Sequence, residues 1–328
     1  MTHNYKDVER RTQLDHETFV HEFCSVPRPV VISGGAKTWR AFREWTSGAL
    51  AAKYGAVAVP VKTLGSKSRR SQMTITEYVE YLRDFEAGHN TELRYLVDWQ
   101  FAKSAPELLS DIRSPEFVGQ DWFSLLPSTI QPDYRWIYIG VAGTFGPLHV
   151  DLQATSAWLA VIDGKKEVVF FEPNTTQHVY KGAVNPFNPD FGRFPEFAYL
   201  PGYRVILEPG DIIYVPTGWW HAARNLTTCI AVTQNFLSYD NAAHVSDHLA
   251  SQFAMVEALR HTVSTGLIRS INTGARESNN RAQLQAMSKI LESTEAALRL
   301  RQKAVARELG EIRLALGEES QSRWTHEG

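Results

Sequence analysis

The chain has 328 residues with a formal net charge of −2, and 43% of the residues are hydrophobic. This is enough apolar material for a substantial core, while the near-zero charge excludes a charge-driven attraction to nucleic acid or to an anionic membrane. The two cysteines, Cys24 and Cys229, have no CxxC neighbour, which argues against a disulfide framework or a structural zinc site and favours a reducing compartment. A polar N-terminus and the lack of a long apolar run favour a cytoplasmic protein without membrane contact.

Helices and strands alternate in the first hundred residues. The apolar spacing predicts helices over 15–23, 39–54 and 74–84, and strands over 28–32, 57–61 and 93–99. Thr74 or Thr76 is the candidate N-cap of the third helix, because a threonine side chain can accept a hydrogen bond from the free amides of a first turn.

A basic cluster lies between positions 62 and 70, where no acidic residue occurs: Lys62, Lys67, Arg69 and Arg70. A cluster of this kind, broken by glycine and serine, is typical of a solvated loop. A role in holding an acidic substrate is the alternative.

A possible metal site follows a core strand predicted at 136–140. His149 and Asp151 are two positions apart, so an extended strand would point both side chains to one face. His221 follows a tight turn and a strand predicted at 212–216, and it stands beside two tryptophans. Two histidines and one carboxylate with open coordination positions are the ligand set of non-haem Fe(II) oxygenases. An isolated H-x-D pair is more often structural, but the strand-end histidine in an aromatic setting favours the metal site.

Strands and one long loop connect these ligands. The sequence predicts a strand over 156–162, a hairpin turn at Asp163-Gly164 and a return strand over 166–171. Residues 172–201 are rich in proline, asparagine and phenylalanine, which is typical of a lid or binding surface. The alternative is that its aromatic residues form only a small core of the loop itself.

Several spaced motifs over about residues 19–239 resemble the JmjC or cupin-like Fe(II)- and 2-oxoglutarate-dependent dioxygenases. The shared pattern is H-x-D, a lysine further on, and a distal histidine after a PGD turn, a strand and WWH. The matching segments are His149-Val150-Asp151, Thr155-Ser156-Ala157-Trp158, Gly164-Lys165-Lys166, Gly218-Trp219-Trp220-His221, Asn225-Leu226 and Gln234-Asn235-Phe236. They are similar to the branch that holds the arginine-demethylase/lysyl-hydroxylase and the asparaginyl hydroxylases.

The resemblance implies a mainly β fold with α elements: a double-stranded β-helix core of the cupin or jelly-roll type, with N-terminal helices and a C-terminal helical tail. Residues 1–240 would form the catalytic domain and 241–328 a helical region. Apolar residues recur every seven positions in this tail, at Leu284, Leu291, Leu298, Val305 and Ile312. The d positions are poor, which disfavours an independent coiled coil. Because relatives dimerise through C-terminal helices, we expect a homodimer through this region, with packing of the tail on the barrel as the alternative.

The resemblance also implies the cofactors. Fe(II) would be held by His149, Asp151 and His221, with 2-oxoglutarate and O₂ as co-substrates, and no catalytic residue is expected beyond the metal ligands. The far carboxylate of 2-oxoglutarate needs a buried cation, because an unpaired charge inside a protein is costly. Lys166 has this role by its position in the family pattern, although a lysine at a strand start is by itself typically a surface residue.

Four further residues are candidates for binding 2-oxoglutarate. Thr233 and Asn235 share a face of a strand predicted over 229–236, and the resemblance implies a hydrogen bond from Thr233 to the same carboxylate, with Asn235 in or near that shell. The corresponding tyrosine of the asparaginyl hydroxylases nominates Tyr95, with an ordinary barrel-lining tyrosine as the equal alternative. Tyr138 is a candidate for a compensating contact.

Compensation matters because two positions depart from the family pattern. Gly146 stands where relatives often have a threonine that binds 2-oxoglutarate, and Leu159 stands where a relative has an asparagine. Either co-substrate binding is weaker, or Thr144, Thr155 or Tyr138 compensates. The metal ligands and the lysine are kept, so an inactive protein is not predicted.

Three functions are compatible with these features. The first, favoured by the resemblance, is hydroxylation of an unactivated C–H bond of a peptide or protein side chain, with demethylation as the outcome where the hydroxylated carbon is bound to nitrogen. The second is hydroxylation of a free amino acid or natural-product intermediate. The third is a non-catalytic cupin scaffold, against which the intact ligand set argues. Gln153 and Trp220 are candidates for the substrate-facing wall, and no nucleic-acid partner is expected.

Overall fold

A computed structural model of the chain describes residues 5–65, 68–129, 131–238, 241–252 and 299. The chain divides into two units, residues 1–249 and 250–328, and almost all of the second lies outside the described residues. The described fold is therefore that of the first unit. The predicted seven-residue repeat of the tail and the expected dimer contact lie outside the described residues.

β-Strands dominate the described part of the first unit. They are β1 (Tyr5–Asp7), β2 (Glu9–Arg11), β3 (Val30–Ile32), β4 (Ala58–Thr63), β5 (Arg69–Thr74), β6 (Arg94–Trp99), β7 (Arg135–Gly140), β8 (Ser156–Asp163), β9 (Lys166–Phe171), β10 (Gly202–Leu207), β11 (Ile212–Val215), β12 (Trp220–Asn225) and β13 (Cys229–Phe236). The α-helices are α1 (His16–Phe19), α2 (Arg40–Glu44), α3 (Ser47–Tyr54), α4 (Ile75–Glu86) and α5 (Phe101–Ser104). α1 continues as a π-helical turn, Val20–Cys24, and residues 242–252 are also helical.

Short 3-10 turns occupy much of the remaining chain. They are Pro106–Asp111, Glu116–Val118, Trp122–Leu125, Leu152–Ala154, Pro173–Thr175, Tyr180–Gly182 and Pro195–Tyr199. Within the described ranges, none of the helices combines the length and the apolar character that crossing a bilayer requires.

The strands form two sheets with a shared core between them. The larger sheet has the order β2-β3-β11-β8-β13-β7-β6-β4-β5, and the smaller has the order β1-β10-β9-β12. Most neighbouring strands are antiparallel, but β1 runs parallel to β10 and β2 parallel to β3. The segment 5–11 thus supplies an edge strand to each sheet. This two-sheet arrangement confirms the predicted mainly β, cupin-type fold.

The central strand β8 shows why its sequence is apolar throughout. Trp158, Ala160 and Ile162 pack with the helices on the outer face of the larger sheet, whereas Ala157 and Val161 pack between the two sheets. Because both faces of this strand are covered, a polar residue is costly at almost every position. Strand alternation then fixes which side chains of the other strands point into the space between the sheets.

Two outer layers protect this space. The helices cover the larger sheet, and the Trp39 ring lies 5.5 Å from that of Trp158 in an edge-to-face contact. The loop 172–201 covers the smaller sheet, where Phe197 packs on Phe171 of β9 with ring centroids 5.2 Å apart. The loop therefore shares a core with the outer face of the smaller sheet, and its role as a lid or binding surface stays a prediction.

The turn at Asp163-Gly164 does not form the predicted hairpin. β8 belongs to the larger sheet and β9 to the smaller, so the turn carries the chain from one sheet to the other. Gly164 has a left-handed φ of 74°, and a Cβ there would collide with the Thr228 carbonyl. The turn residues were identified correctly, but strand pairing depends on contacts that are distant in sequence.

The helix predicted over 39–54 is divided into α2 and α3. Trp45 leaves the helical conformation, and its indole donates a hydrogen bond to the buried Asp111 carboxylate at 2.9 Å. Thr46 then caps α3 by accepting a hydrogen bond from the Ala49 amide at 3.1 Å. A tertiary contact of one side chain thus outweighs the continuous helical pattern.

Much of the predicted basic loop is instead strand. Lys62 lies in β4, and Arg69 and Arg70 lie in β5 at the edge of the larger sheet, while Lys67 is outside the described residues. Charged side chains on an edge strand hinder pairing with another chain, which explains the composition without a loop.

Thr74, and not Thr76, is the cap of α4. The Thr74 hydroxyl accepts from the Glu77 amide at 3.2 Å, and the Glu77 carboxylate accepts from the Thr74 amide at 2.7 Å. These two bonds form a reciprocal capping box.

Thr74→Ala should therefore lower the free energy of unfolding by about 1 kcal/mol, because it leaves an amide of the first turn without its acceptor. Thr76→Ala is the matched control, and we expect a change of less than about 0.5 kcal/mol for this exposed position. Urea denaturation of both variants measures the difference. Equal losses would show that the capping box does not stabilise the helix.

Candidate metal centre and its cavity

Backbone pairing brings two histidines together. The segment around His149 is extended and forms isolated bridges to β12, one between Phe145 and Arg224 and one between His149 and His221. The His149 amide donates to the His221 carbonyl at 3.0 Å, and the His221 amide donates to the His149 carbonyl at 2.8 Å. The strand expected at the first ligand is thus a short extended segment, which the 3-10 turn Leu152–Ala154 follows.

Asp151 completes a compact group of three side chains. One ligand atom from each of His149, Asp151 and His221 lies within 4.8 Å of the other two. The His221 Nε2 atom is 3.9 Å from Asp151 Oδ1. The structure therefore brings together the three residues that the sequence nominates as metal ligands.

Backbone carbonyls fix which nitrogen of each histidine is free. His149 Nδ1 is 2.9 Å from the Pro147 carbonyl, and His221 Nδ1 is 3.1 Å from the Trp219 carbonyl. A carbonyl oxygen can only accept, so Nδ1 carries the proton in both rings and Nε2 keeps a lone pair. Metal-ligating histidines are commonly oriented in this way.

Charge and burial in the group suit a divalent cation. Burial, followed by the neighbouring His149, lowers the pKa of His221 to about 4, so this ring is neutral near pH 7 and able to coordinate. Asp151 Oδ2 is buried, and none of the described residues forms a hydrogen bond with it. A buried carboxylate oxygen without a partner is costly unless a cation binds there. Two imidazole nitrogens and one carboxylate match the donor set of Fe(II).

The group lies at the wall of a cavity of about 370 Å³ between the sheets. His149 is exposed and His221 is buried, so the centre is reached from the His149 side. The larger sheet contributes Tyr95, Val97, Asp98, Tyr138, Ala157, Leu159, Ile213, Val215, Thr233 and Asn235. The smaller sheet contributes Lys166, Val168, His221 and Ala223. A space of this size suits a small co-substrate together with the end of a side chain.

A buried lysine forms part of the same wall. Lys166 is only 1% exposed, and its ammonium donates to Asn225 Oδ1 at 2.5 Å and to the Tyr95 hydroxyl at 3.3 Å. Asn225 in turn donates to the Thr144 hydroxyl at 2.8 Å. No carboxylate in the part of the chain that the structure describes pairs with Lys166, and an ammonium has a third N–H to donate.

The protonation states of Lys166 and Tyr95 favour the binding of an anion. Burial by itself would lower the pKa of the Lys166 ammonium, but Tyr95 and Cys229 raise it above its usual value. Burial raises the pKa of the Tyr95 phenol. At neutral pH a charged ammonium and a neutral hydroxyl therefore lie side by side in the cavity wall, and both can donate to a bound carboxylate.

Thr233 and Asn235, two further candidates for binding 2-oxoglutarate, line the cavity, but their polar groups already form hydrogen bonds within the protein. The Thr233 hydroxyl donates to the Trp158 carbonyl at 2.6 Å, and the Asn235 amide donates to the Thr155 hydroxyl at 2.9 Å. A bond from Thr233 to a carboxylate requires its proton to leave Trp158. The roles of Thr233 and Asn235 toward 2-oxoglutarate therefore stay predictions.

The two positions that depart from the family pattern both line the cavity. A methyl group at Gly146 would meet no atom within 4 Å, so the wall is open there, and Leu159 adds apolar surface. Thr144 and Thr155, which were candidates for compensation, each accept from a neighbouring asparagine. Lys166 is the buried cation of this wall, while the Lys62 and Arg70 side chains also line the cavity.

Tyr138 also lines the cavity, but its hydroxyl donates to Asp98 at 3.3 Å. The Asp98 carboxylate in addition pairs with Arg70 at 3.2 Å. Burial, followed by the charge of Asp98, raises the pKa of the Tyr138 phenol well above its usual value, so the phenol stays protonated. Its role toward 2-oxoglutarate stays a prediction, and the sequence pattern indicated no role for Asp98.

The structure places Gln153 and Trp220 away from the cavity wall as the described residues define it. Trp220 precedes His221 on β12 and so points to the opposite face, where its indole donates to Thr176 at 3.1 Å. Gln153 lies in the 3-10 turn after Asp151, with a left-handed φ of 54°. Nearness in sequence to a metal ligand therefore did not place either side chain in the cavity.

The family pattern includes Asn225 without a stated role, and it does not include Gly140. Asn225 is directly opposite Lys166 in the β9–β12 pair. A methyl group at Gly140 would come within 2.6 Å of Asn225 and of Tyr95, so the missing side chain makes space for the group around Lys166. A glycine inside a strand often marks such a close approach, and this was the available signal.

Comparison with known proteins agrees with this geometry. Residues 16–242 match the model of a family described as a cupin-like domain. The chain belongs to this cupin-like family. Since that match covers the segments that carry the metal ligands and Lys166, it confirms the predicted fold class.

Three relatives are named for iron- and 2-oxoglutarate-linked chemistry or for demethylation. Lysine-specific demethylase JMJ21 of Arabidopsis thaliana is 32% identical over 256 residues, which are 73% of this chain and 26% of that protein. Arginine-specific demethylase JMJ20 of Arabidopsis thaliana is 28% identical over 278 residues, 75% of this chain and 60% of that protein. The 2-oxoglutarate and iron-dependent oxygenase JMJD4 of Mus musculus is 27% identical over 285 residues, 78% of this chain and 65% of that protein. The matched part is thus less than two thirds of the length of each relative.

Replacing His221 by alanine should weaken Fe(II) binding by more than about 100-fold, because the centre loses one of its three ligands. His178→Ala is the matched control, since this histidine is exposed in the loop 172–201, and it should bind Fe(II) as the wild type does. Calorimetric titration with Fe(II) under anaerobic conditions gives both affinities. Wild-type affinity in the His221 variant would place the metal elsewhere.

Proposed function

We propose that the chain is an Fe(II)- and 2-oxoglutarate-dependent oxygenase that hydroxylates a C–H bond of a peptide or protein side chain. The observation that carries this proposal is the presence, in one cavity, of a His-Asp-His group and a buried lysine that no carboxylate among the described residues pairs with. The first suits the metal ion. The second suits the far carboxylate of a dicarboxylic co-substrate.

The metal would be held by two imidazole Nε2 atoms, from His149 and His221, and by a carboxylate oxygen of Asp151. Three protein ligands leave coordination positions free for co-substrates. Bound iron, with 2-oxoglutarate and O₂, supplies the oxidising power for a reaction that yields succinate, CO₂ and a hydroxylated product. The carbonyls of Pro147 and Trp219 keep both rings in the tautomer that can coordinate.

Lys166 and Tyr95 would bind the far carboxylate of 2-oxoglutarate. The ammonium offers its charge and its remaining N–H, and the Tyr95 hydroxyl, which accepts from Lys166, has its own proton to donate. Because Asn225 already holds the ammonium, little side-chain freedom is lost on binding. Ile213 and Val215 add apolar walls that keep water from competing for these donors.

Access to the centre and the names of the relatives support a peptide or protein substrate. The exposed side of the centre, at His149, leaves room for a side chain that belongs to a larger molecule. Two relatives are named as lysine-specific and arginine-specific demethylases. Demethylation follows from hydroxylation when the hydroxylated carbon is bound to nitrogen, so both outcomes belong to one chemistry.

The proposal extends to the organisation of the chain. Residues 1–240 would be the catalytic part, which the family match over 16–242 supports. Residues 241–328 would form the contact of a homodimer, and most of them lie outside the described residues. The buried thiol of Cys229 is free, which is consistent with a cytoplasmic location.

Protein loaded with Fe(II) without oxygen should release succinate from 2-oxoglutarate once O₂ is admitted. His149→Ala should lower this release by at least about 100-fold, because the metal loses a ligand, and the exposed His178→Ala variant should keep the wild-type rate. Quantitative NMR measures the amount of succinate that each of the three proteins releases. No succinate from wild-type protein with bound Fe(II), even with mixtures of peptides and amino acids present, would reject the oxygenase and favour a scaffold.

Gly140→Ala should weaken 2-oxoglutarate binding by about 10-fold, because the new methyl group forces Asn225 and Tyr95 away from Lys166. Gly146→Ala is the matched control in the same cavity, where a methyl group has free space, and we expect less than about a 2-fold change. Calorimetric titration of the Fe(II)-loaded proteins with 2-oxoglutarate gives the affinities. A similar loss in both variants would place the far carboxylate away from Lys166.

A further inference from the structure

Asp98 reaches the cavity because of a β-bulge. The pairing of β6 with β7 shifts register between Leu96 and Trp99, and Asp98 has a left-handed φ of 56°. In a regular strand Tyr95 and Val97 would share the cavity face and Asp98 would point away. All three residues line the cavity, so the bulge has turned the Asp98 side chain back toward it.

The partners of this carboxylate hold it in place weakly. The Tyr138 hydroxyl donates to Asp98 Oδ1 at 3.3 Å, and an Arg70 guanidinium nitrogen lies 3.2 Å from Asp98 Oδ2. The Asp98 side chain is 43% exposed and that of Arg70 is 70% exposed. Solvent screens an ion pair of this exposure, so a second cation can displace Arg70 at little cost.

Asp98 is also a cavity carboxylate that does not belong to the metal group. The carboxylates that line the cavity in the described part of the chain are Asp98 and Asp151, and Asp151 belongs to the metal group. Tyr138 donates to Asp98 and lines the same cavity as both carboxylates.

We propose that Asp98 selects the substrate by binding the ammonium or guanidinium group of a lysine or arginine side chain, and that Arg70 occupies this carboxylate until substrate arrives. The inference rests on the proposed oxygenase and deepens it. The aliphatic stem of such a side chain fits against Val97, which lines the wall beside Asp98. An acidic substrate held by Arg70 and Lys62 is the competing outcome, since both cations also line the cavity.

The test measures binding to immobilised decapeptide pools, with random flanks and one fixed central residue: lysine, arginine, norleucine, citrulline, glutamate or glutamine. The protein is loaded with Fe(II) and 2-oxoglutarate without oxygen. We expect the lysine or the arginine pool to bind about 10-fold more tightly than its neutral counterpart, norleucine or citrulline, because the substrate shields the new ion pair from water.

Three variants test whether this preference depends on the Asp98 carboxylate. Asp98→Asn should abolish it while tolerating the left-handed backbone, since asparagine also adopts that conformation. Arg70→Gln should raise binding of the cationic pool by about 2-fold or more, a gain that misfolding cannot produce, because the internal competitor is removed. Glu92→Gln is the matched control: Glu92 pairs with Arg69 and Arg94 on the same sheet and does not line the cavity.

Several results would overturn the assignment of Asp98. These are equal binding of cationic and neutral pools, a preference that survives in Asp98→Asn, and a preference for the glutamate pool that Arg70→Gln removes. Succinate release by the wild-type protein under O₂ measures the oxygenase separately. Succinate without a cation preference rejects the Asp98 assignment alone, whereas a cation preference without succinate rejects the oxygenase alone.

Discussion

The Lys166 ammonium lies between two sheets with no carboxylate of the described residues to pair with it, and the arrangement of the cavity follows from this constraint. Asn225 and Tyr95 hold the Lys166 ammonium through dipoles, so its charge stays available to an anion. The next residue on β9, Glu167, shows the opposite solution on the outer face, where Arg204 and Arg224 both pair with it. The buried Glu167 carboxylate on the outer face is thus paired within the protein, whereas no carboxylate among the described residues pairs with Lys166 on the inner face.

Alternation along β9 and β12 separates these two roles. Lys166, Val168 and His221 face the cavity, whereas Phe171 and Trp220 face the loop 172–201. The same two strands therefore carry the polar centre and the apolar contacts that shield it. A shift of one residue in β12 would place His221 under the loop, and the same shift in β9 would place Lys166 there.

The sequence predicted the parts of the structure that depend on short-range pattern. His149, Asp151, His221 and Lys166 were found because strand spacing and family motifs identify them directly. Asp98 was missed because its direction depends on a bulge, which alternation alone cannot show. The change of sheet after Asp163 and the break at Trp45 depend on partners that are distant in the sequence, and local propensity carries no information about them. Trp220 would have been placed correctly by counting alternate positions from His221.

The segment 5–11 pairs with strands from two distant parts of the chain, and this affects the order of folding as well as the final structure. Tyr5 pairs with Gly202, about 200 positions away, so β1 can settle only after most of the chain has been synthesised and β10 has formed. β2 lies on β3 in the other sheet, and both additions are made by the same few residues. A protease cut just after Arg11 would therefore expose β10 and β3 together. Both would become unpaired edge strands, which favours pairing with other chains and aggregation.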